Sequence, residues 1–443
     1  QRHEAVGHVP IFDTSADPGF IAIVQSDRAG WFLACELRRR GYRIAHVHHT
    51  QHLDEVGEDE FDVELVYGED LDDVLPALGA LGPSLVLAGS ELGVNPADYL
   101  AEALCLPTNG TLRSVARRDK AGMVDALRAA RIPVMRQLRS RSWKRIVRWM
   151  QRHDLREVVI KPVRSAGTDR VSCARTPDEV KRATRAIIGA TNRLGLREVE
   201  VVAQERLFGP EIYLNTVSRA GRHALTEIWL ETKREARGGG AAAPFAYDTF
   251  ELLPGDDVLA GYLWAWLERV LDALGVAWGP AHTELILTPE GPRLIDFGAR
   301  LDGVLLPSLN EECIGRSPVQ ITADAYLDPV AWEAWAAAPY RLRQRATMVV
   351  VDNPCAGILR DDRGLRDIAR LPTFHALRPR WGVGADVPVT RDAFSYHAII
   401  TLRDPDLDAV RRDHATIREL EAAELLLDVT PAAPEPASDA APT

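Results

Sequence analysis

The chain has 443 residues, 46 % of them hydrophobic and 26 % charged, with a formal net charge of −11. That length holds material for several domains around a large core, and the acidic balance argues against a general nucleic-acid binder, which is normally basic. Five scattered cysteines (35, 105, 173, 313, 355) form no CxxC motif and suit a reducing compartment better than a disulfide scaffold. No run of about 18 apolar residues exists to span a membrane, and the N-terminus has no apolar signal core, so a cytoplasmic location without membrane partners is expected.

In chain order, Gly19–Gln25 reads as a strand and Trp31–Arg40 as an amphipathic helix closed by Gly41. Ile44–His48 and Leu85–Ala88 read as further strands. Alternating strand and helix predict a doubly wound parallel-sheet domain over residues 1–112. Ligands of such sheets sit at the carboxyl ends of the strands, but no GxGxxG follows the first strand. His46, His48, His49 and His52 lack helical i, i+4 order and read as a polar loop rather than a metal site.

A second unit spans 113–197. Asp119-Lys120 opens a helix with Met123, Ala126, Leu127 and Ala130 on one face, and Ser142–His153 is a basic amphipathic helix. The strand Glu157–Pro162 carries Lys161 at its exit, where a lysine is rarely buried unpaired. A small-residue loop, Arg164-Ser165-Ala166-Gly167-Thr168-Asp169, follows before the strand Val171–Ala174. Small side chains leave backbone N–H groups free to meet phosphates, although an ordinary hairpin turn explains the loop as well. Thr176-Pro177-Asp178-Glu179 is a capping box with proline at N1.

The third unit, 198–340, has strands at Glu198–Leu207, Glu211–Ser218 and His223–Thr232, an antiparallel α+β layer. Glu235–Pro244 is too glycine-rich to hold one conformation and reads as a lid or surface loop. Asp256–Leu274 is a helix striped with Leu259, Leu263, Trp266, Leu267, Val270 and Leu271. Next come two apolar strands, His282–Thr288 and Pro292–Phe297, joined by Pro289-Glu290-Gly291. A three-residue loop sets Thr288 against Pro292 and, counting back, Glu284 against Asp296. Opposed residues have Cβ atoms about 4.5–5.5 Å apart, where like charges repel. Two carboxylates there need a compensating charge, which Mg²⁺ carrying nucleotide phosphates supplies, with Arg300 in reach of the same oxygens. Two solvated carboxylates on an ordinary hairpin remain the alternative. Beyond Cys313, Ile321–Pro339 looks helical. Residues 341–428 form a β-rich lobe from Arg345–Val351 to a last helix Pro405–Leu427, and 429–443 is a Pro/Ala-rich tail expected to be disordered.

Six marks lie in order between residues 113 and 310: Lys120 before a helix, VVIKP with Lys161, RSAGTD, QERLFGPEIYLN, AHTELIL and LIDFGARLDG. Together they resemble the ATP-grasp superfamily and, within it, the amino-acid (dipeptide) ligases that join a carboxylate to an amine. The resemblance implies a two-lobed ATP-grasp fold behind an N-terminal parallel-sheet domain, with an added C-terminal lobe. It further implies that Lys120 and Lys161 meet ATP phosphates, that Ser165, Ala166, Gly167 and Thr168 cover them, and that Gln204, Glu205, Arg206 and Leu207 form the hinge against adenine. Glu211 would lie near the ribose, Glu284 and Asp296 would hold Mg²⁺ (or Mn²⁺), and Arg300 would meet the γ-phosphate or acyl phosphate. Arg300 and Arg316 are candidate anchors for a substrate carboxylate, and His282 or Glu311 a candidate base, with a supporting role for His282 as the alternative. The partners implied are a small carboxylate and an amine, amino acids or short peptides; a homodimer is left open. Three departures stand out. Asp296 replaces the family's usual Glu, Val304 replaces a frequent glycine, and Asp302 adds a charge beside Arg300, which leaves the substrate open. An ATP-grasp enzyme of another reaction, biotin-carboxylase-like or of a purine pathway, and a nucleotide binder with little turnover are the other readings.

Overall fold

The computed structural model describes residues 19–50, 61–165, 169–192, 194–234, 246–391 and 395–431. Among them no helix is long and apolar enough to cross a membrane. The first unit comprises β1 (Phe20–Val24), α1 (Arg28–Arg39), β2 (Arg43–His49), β3 (Val63–Tyr67), α2 (Leu75–Leu81), β4 (Leu85–Ala88) and α3 (Val94–Ala103). Its four strands are all parallel in the order β3-β2-β1-β4. Every residue of β1 is buried, because a parallel strand is covered on both faces and carries a continuous apolar run. Asp27 caps α1, accepting from the amides of Ala29 at 2.8 Å and Gly30 at 3.3 Å.

The second unit runs through α4 (Lys120–Ala129), β5 (Gln137–Ser140), α5 (Trp143–Arg152), β6 (Val158–Pro162), β7 (Ser172–Ala174), α6 (Pro177–Ile187) and β8 (Val201–Glu205). Its sheet is antiparallel, ordered β5-β8-β6-β7. Ile146 and Trp149 of α5 and Val180 and Ile187 of α6 join Val158 and Ile160 in one core. The capping box at Thr176 and Glu179 is formed as expected.

The largest sheet follows. It draws on β9 (Glu211–Arg219), β10 (Arg222–Arg234), β11 (Ala246–Leu253), then, after α7 (Val258–Leu274), β12 (Gly279–Thr288) and β13 (Gly291–Gly298). Asp257 caps α7 and Gly275 ends it at φ +68°, the left-handed turn glycine adopts without strain. The expected helix over Ile321–Pro339 is two helices. α8 (Pro307–Cys313) leads into α9 (Pro318–Leu327) and α10 (Pro329–Ala336), broken at Asp328 because Pro329 cannot continue a helix but starts one well.

The C-terminal stretch contains β14 (Arg345–Val351), β15 (Gly357–Asp361), α11 (Arg363–Asp367), β16 (Phe374–Pro379), β17 (Asp386–Val387), β18 (Ala398–Asp404), α12 (Leu407–Ala422) and β19 (Asp428–Pro431). Three of its strands complete the large sheet, in the order β13-β12-β9-β10-β11-β14-β18-β16. The joint is β11 against β14, with Thr249 facing Val349 and Glu251 facing Thr347. The lobe is thus continuous with the β12–β13 hairpin through shared backbone hydrogen bonds.

Candidate active site

The hairpin of β12 and β13 pairs Glu284 with Asp296, as the sequence predicts, but by a different route. The expected three-residue loop is a two-residue one: Thr288 faces Gly291 across Pro289 and Glu290. Simple counting from that turn would set Glu284 against Ile295. A β-bulge between Glu284 and Leu285 leaves Ile295 as an extra residue and restores the acidic pair. Lys161 uses the bulge, donating from Nζ to the Ile295 carbonyl at 3.0 Å.

Around the pair opens a cleft of about 800 Å³ between the second-unit sheet and the large sheet. Lys120, Lys161, Ser165, Gln204–Leu207, Glu211, Lys233, Glu284 and Asp296 all line it, with Met135, Val159 and Ile286 as apolar wall. Lys120 Nζ reaches both Asp296 oxygens, at 2.8 and 2.7 Å, and the Ser165 carbonyl at 2.9 Å. Lys161 is held in a drier place. Burial and the like charge of Lys120 lower it to about 8. Ala166, Gly167 and Thr168, with the 235–244 stretch, lie outside the described residues.

Lys233 escapes a sequence reading, since β10 was expected to end at Thr232 and here runs to Arg234. Its Nζ donates to Glu211 at 2.6 Å and to Glu231 at 2.8 Å, and it lies 5.6 Å from the Tyr247 ring centroid. Glu231 is buried, and burial raises it well above the carboxylate range despite Lys233. A Lys-Arg pair ahead of a glycine run was the one available signal.

Glu284 is tied to an internal chain of polar groups. Glu227, buried on β10, accepts from Asn215 Nδ2 at 2.5 Å and from Asn310 Nδ2. Asn215 therefore turns Oδ1 to His282 Nδ1 at 2.7 Å, so that nitrogen must carry a proton. The other ring nitrogen faces Glu284 Oε1 at 3.2 Å and also carries one. Burial opposes a charge on His282, but Asp302 and the Glu284 hydrogen bond outweigh it and raise its pKa. In turn, burial would lift Glu284, yet the His282 hydrogen bond with the charges of His282, Lys233 and Lys120 brings it down to about 2. Asn215 and Glu227 carry no motif that a sequence reading could have used.

The remaining expected residues divide. Glu205 is engaged by Arg136, from its amide at 2.7 Å and its guanidinium at 2.5 Å. The Glu205 side chain is therefore already committed to Arg136. Gly209, at φ +145°, lets this hinge lie against the hairpin, where any Cβ would sit 2.1 Å from the Leu287 carbonyl oxygen. Arg300 lies behind His282, bound to Glu91 Oε2 at 2.9 Å, and Glu91 also holds Arg118 at 3.0 Å. Glu91 follows β4, so the parallel-sheet domain supplies the clamp. Arg316 and Glu311 are corrections. Arg316, in the turn between α8 and α9, pairs with Asp324, and Glu311 is exposed on α8; neither lines the cleft.

His46 and His48 lie within β2, inside the strand expected at Ile44–His48, and not in the polar loop that the histidine cluster suggested. Both meet Glu64 Oε2, at 3.1 and 2.9 Å. The Ser26 amide donates to His46 Nε2 at 3.2 Å, which leaves the His46 proton on the nitrogen facing Glu64. A metal ligand would need the opposite arrangement, so the trio serves as a hydrogen-bonded clip.

No family model matches the sequence. The chain is 31 % identical to dapdiamide A synthase of Enterobacter agglomerans over 299 residues, 67 % of this chain and 69 % of that protein. The fold is similar to L-amino acid ligase from Bacillus licheniformis, with TM-score 0.72 and 18 % identity over 94 % of this chain and 99 % of that one. It is also similar to carboxyaminoimidazole ribonucleotide synthase from Aspergillus clavatus complexed with ATP, with TM-score 0.67 and 12 % identity over 91 % and 98 % of the two chains. With the ordered motifs, the paired carboxylates and these likenesses in hand, the chain belongs to the ATP-grasp superfamily, among its ATP-dependent carboxylate–amine ligases that form carbon–nitrogen bonds.

Proposed function

We propose that the cleft takes ATP with Mg²⁺ and joins an amino acid, or a similar small acid, to an amine through an acyl phosphate, in the making of a specialised metabolite. The observation that carries this is the Glu284–Asp296 pair, bulge-registered at the head of a lysine-lined cleft. Its donor set fits a hard divalent cation: two carboxylates on facing strands, each about a quarter exposed, with oxygen donors only. When bound, the ion would neutralise phosphate charge and polarise the transferring group.

The chain's own residues do the rest. Lys120 and Lys161 supply positive charge for phosphates, and Lys161 gains protonation as an anion arrives. Gln204 to Leu207 provide the hinge for the base, and Glu211, held by Lys233, the neighbour of the ribose. His282 holds Glu284 ionised and oriented. Set between Asn215 Oδ1 and Glu284 Oε1, it fits the supporting role of a positioning group better than that of a base. Arg300, fixed by Glu91, supplies charge where the activated carboxyl forms. The activated acid must be shielded from water, which would otherwise hydrolyse it.

The test is phosphate release with product mass spectrometry across pairs of amino acids and short peptides. ADP and phosphate appearing with an amide, and vanishing in Glu284→Ala, are the expected result. AMP with pyrophosphate would overturn the acyl-phosphate route.

A further inference from the structure

Glu227 on β10, Asn215 on β9 and His282 on β12 stand level on three neighbouring strands. The register sets Asn215 against Glu227 on one side and against His282 on the other. On the β10 side that alignment depends on an irregularity. Leu225 faces Thr216 and Glu227 faces Asn215, so Thr226 is an extra residue, a bulge like the one at Ile295. Without it Thr226 would oppose Asn215, and Glu227 would turn to the other face of the sheet, because side chains alternate along a strand.

Asn215, Glu227 and His282, with Asn310 of α8, are 4, 2, 7 and 2 % exposed. Polar groups so shielded must satisfy one another, and here they do so in one sense. Three side-chain donors converge on Glu227: Asn215 at 2.5 Å, Trp229 and Asn310. Burial and the charge of Asp302 raise its pKa, while these donors work the other way and hold it as an acceptor. An asparagine that spends Nδ2 on Glu227 has Oδ1 left for its other neighbour, and that oxygen lies 2.7 Å from His282 Nδ1. The His282 ring, with the Tyr213 ring centroid 5.1 Å from its own, then sets Nε2 3.2 Å from Glu284 Oε1. One oxygen of Glu284 is thereby held from within the sheet, while the residue itself lines the cleft.

We propose that Glu227, Asn215 and Asn310 are positioning residues for the metal carboxylate: they orient the His282 ring and, through it, present Glu284 to nucleotide-bound Mg²⁺ in a preset geometry. The inference rests on the reading of the cleft given above. Hydrogen-bonded groups behind a metal ligand typically carry about ten- to a hundredfold in metal affinity. In this chain that support reaches through the sheet as far as α8, so the helix that follows the Arg300 segment is fastened to the ion's ligand.

The test titrates ADP calorimetrically, with and without Mg²⁺, into the wild type, Glu284→Gln, Asn215→Leu, Asn310→Leu and the double variant Glu227→Gln/Asn310→Asp, with circular dichroism as the check on folding. Asn215→Leu, close in size but without hydrogen bonds, should weaken the Mg²⁺-dependent part of ADP binding by about tenfold or more. ADP affinity without Mg²⁺ should stay unchanged, a split that general loosening of the fold does not produce. Asn310→Leu, at the far end of the row, should show the same split at a smaller size, and reads the proposal even where Asn215→Leu does not fold. The double variant moves the charge without turning the row: the introduced amide donates towards α8, and its oxygen still accepts from Asn215. It should bind close to the wild type. Wild-type Mg²⁺ dependence in the leucine variants, equal weakening with and without Mg²⁺, or a folded double variant as weak as Asn215→Leu overturns the proposal. Mg²⁺ dependence that survives Asn215→Leu and is lost in Glu284→Gln refutes this proposal alone. ADP binding indifferent to Mg²⁺ in the wild type refutes the reading of the cleft and this proposal with it.

Discussion

Two clusters of buried charge share strand β10, and they are built differently. Lys233 and Arg234 are neighbours on it, yet they serve opposite faces. Lys233 joins Glu211 and Glu231 in the cleft. Arg234 grips Glu421 of α12 with both terminal nitrogens, at 2.8 and 3.1 Å, and pairs with Asp352 at 3.0 Å. Arg418 closes that second cluster onto Asp248 at 2.6 Å and Glu421 at 2.7 Å. The second cluster uses arginine forks, which lock geometry, whereas the cleft uses lysines, which hold a charge on a flexible stem. Space separates them as well, since the cleft side opens onto about 800 Å³. Charge density alone therefore does not make a site. Cations facing an open volume are what marks the cleft, and the arginine side works as a tie between α12 and the large sheet.

The largest expected effects fall on the cleft. Glu284→Gln and Asp296→Asn should each lower amide formation by about 10³-fold or more with the fold intact, because in the proposed reaction both would hold the ion that offsets charge developing in the transition state. Circular dichroism and single-turnover rates check this; near-wild-type turnover would place the chemistry elsewhere. Next, Lys161 should make nucleotide use pH-dependent. A lysine lowered to about 8 keeps its charge below that pH and loses it above, so kcat/KM for ATP should fall as pH rises through 8. Lys161→Arg, which stays charged, should remove the fall even if the absolute rate is lower.

On the arginine side, losses should appear in stability and not in nucleotide affinity. Arg234→Met leaves Glu421 and Asp352 without their strongest partner. Discounted for the partial exposure of Arg234, that costs about 1–3 kcal/mol in urea unfolding. Asp352 gives a smaller, signed effect. Burial lifts it to about 6, partly offset by Arg234, so the native state holds its proton longer than the unfolded chain, whose value is about 3.9. Stability from this group is thus lost as pH rises between the two values and is level above 6. Asp352→Asn should gain on the wild type between pH 4.5 and pH 7; a constant difference would contradict the assignment.

How far the sequence discloses all this depends on sequence distance. β12, β13 and α7 are legible because their periodicity, turn and caps are local. Glu284 against Asp296 was reachable too, although the loop is one residue shorter than expected and the bulge at Ile295 makes up the difference. No local signal announces a bulge. β11 and β5 are not legible: β11 follows a glycine-rich stretch, and β5 is only four residues long. Pairing of β11 with β14 joins positions about a hundred residues apart, and the Glu91 clamp on Arg300 spans 209. Such contacts are chosen by the whole packed fold, which pattern reading over a short window does not sample. Arg316 and Glu311 misled for the same reason, being near the motif in sequence but, in the turn after α8 and on its exposed side, away from the cleft.

The most direct measurement is ADP binding by calorimetry, with and without Mg²⁺, in the wild type, Glu284→Gln and Asp352→Asn. Mg²⁺ should tighten ADP binding in the wild type and in Asp352→Asn and have little effect in Glu284→Gln. Full Mg²⁺ dependence in Glu284→Gln, or its loss in Asp352→Asn, would contradict the division of the two clusters and the placing of the nucleotide in the cleft.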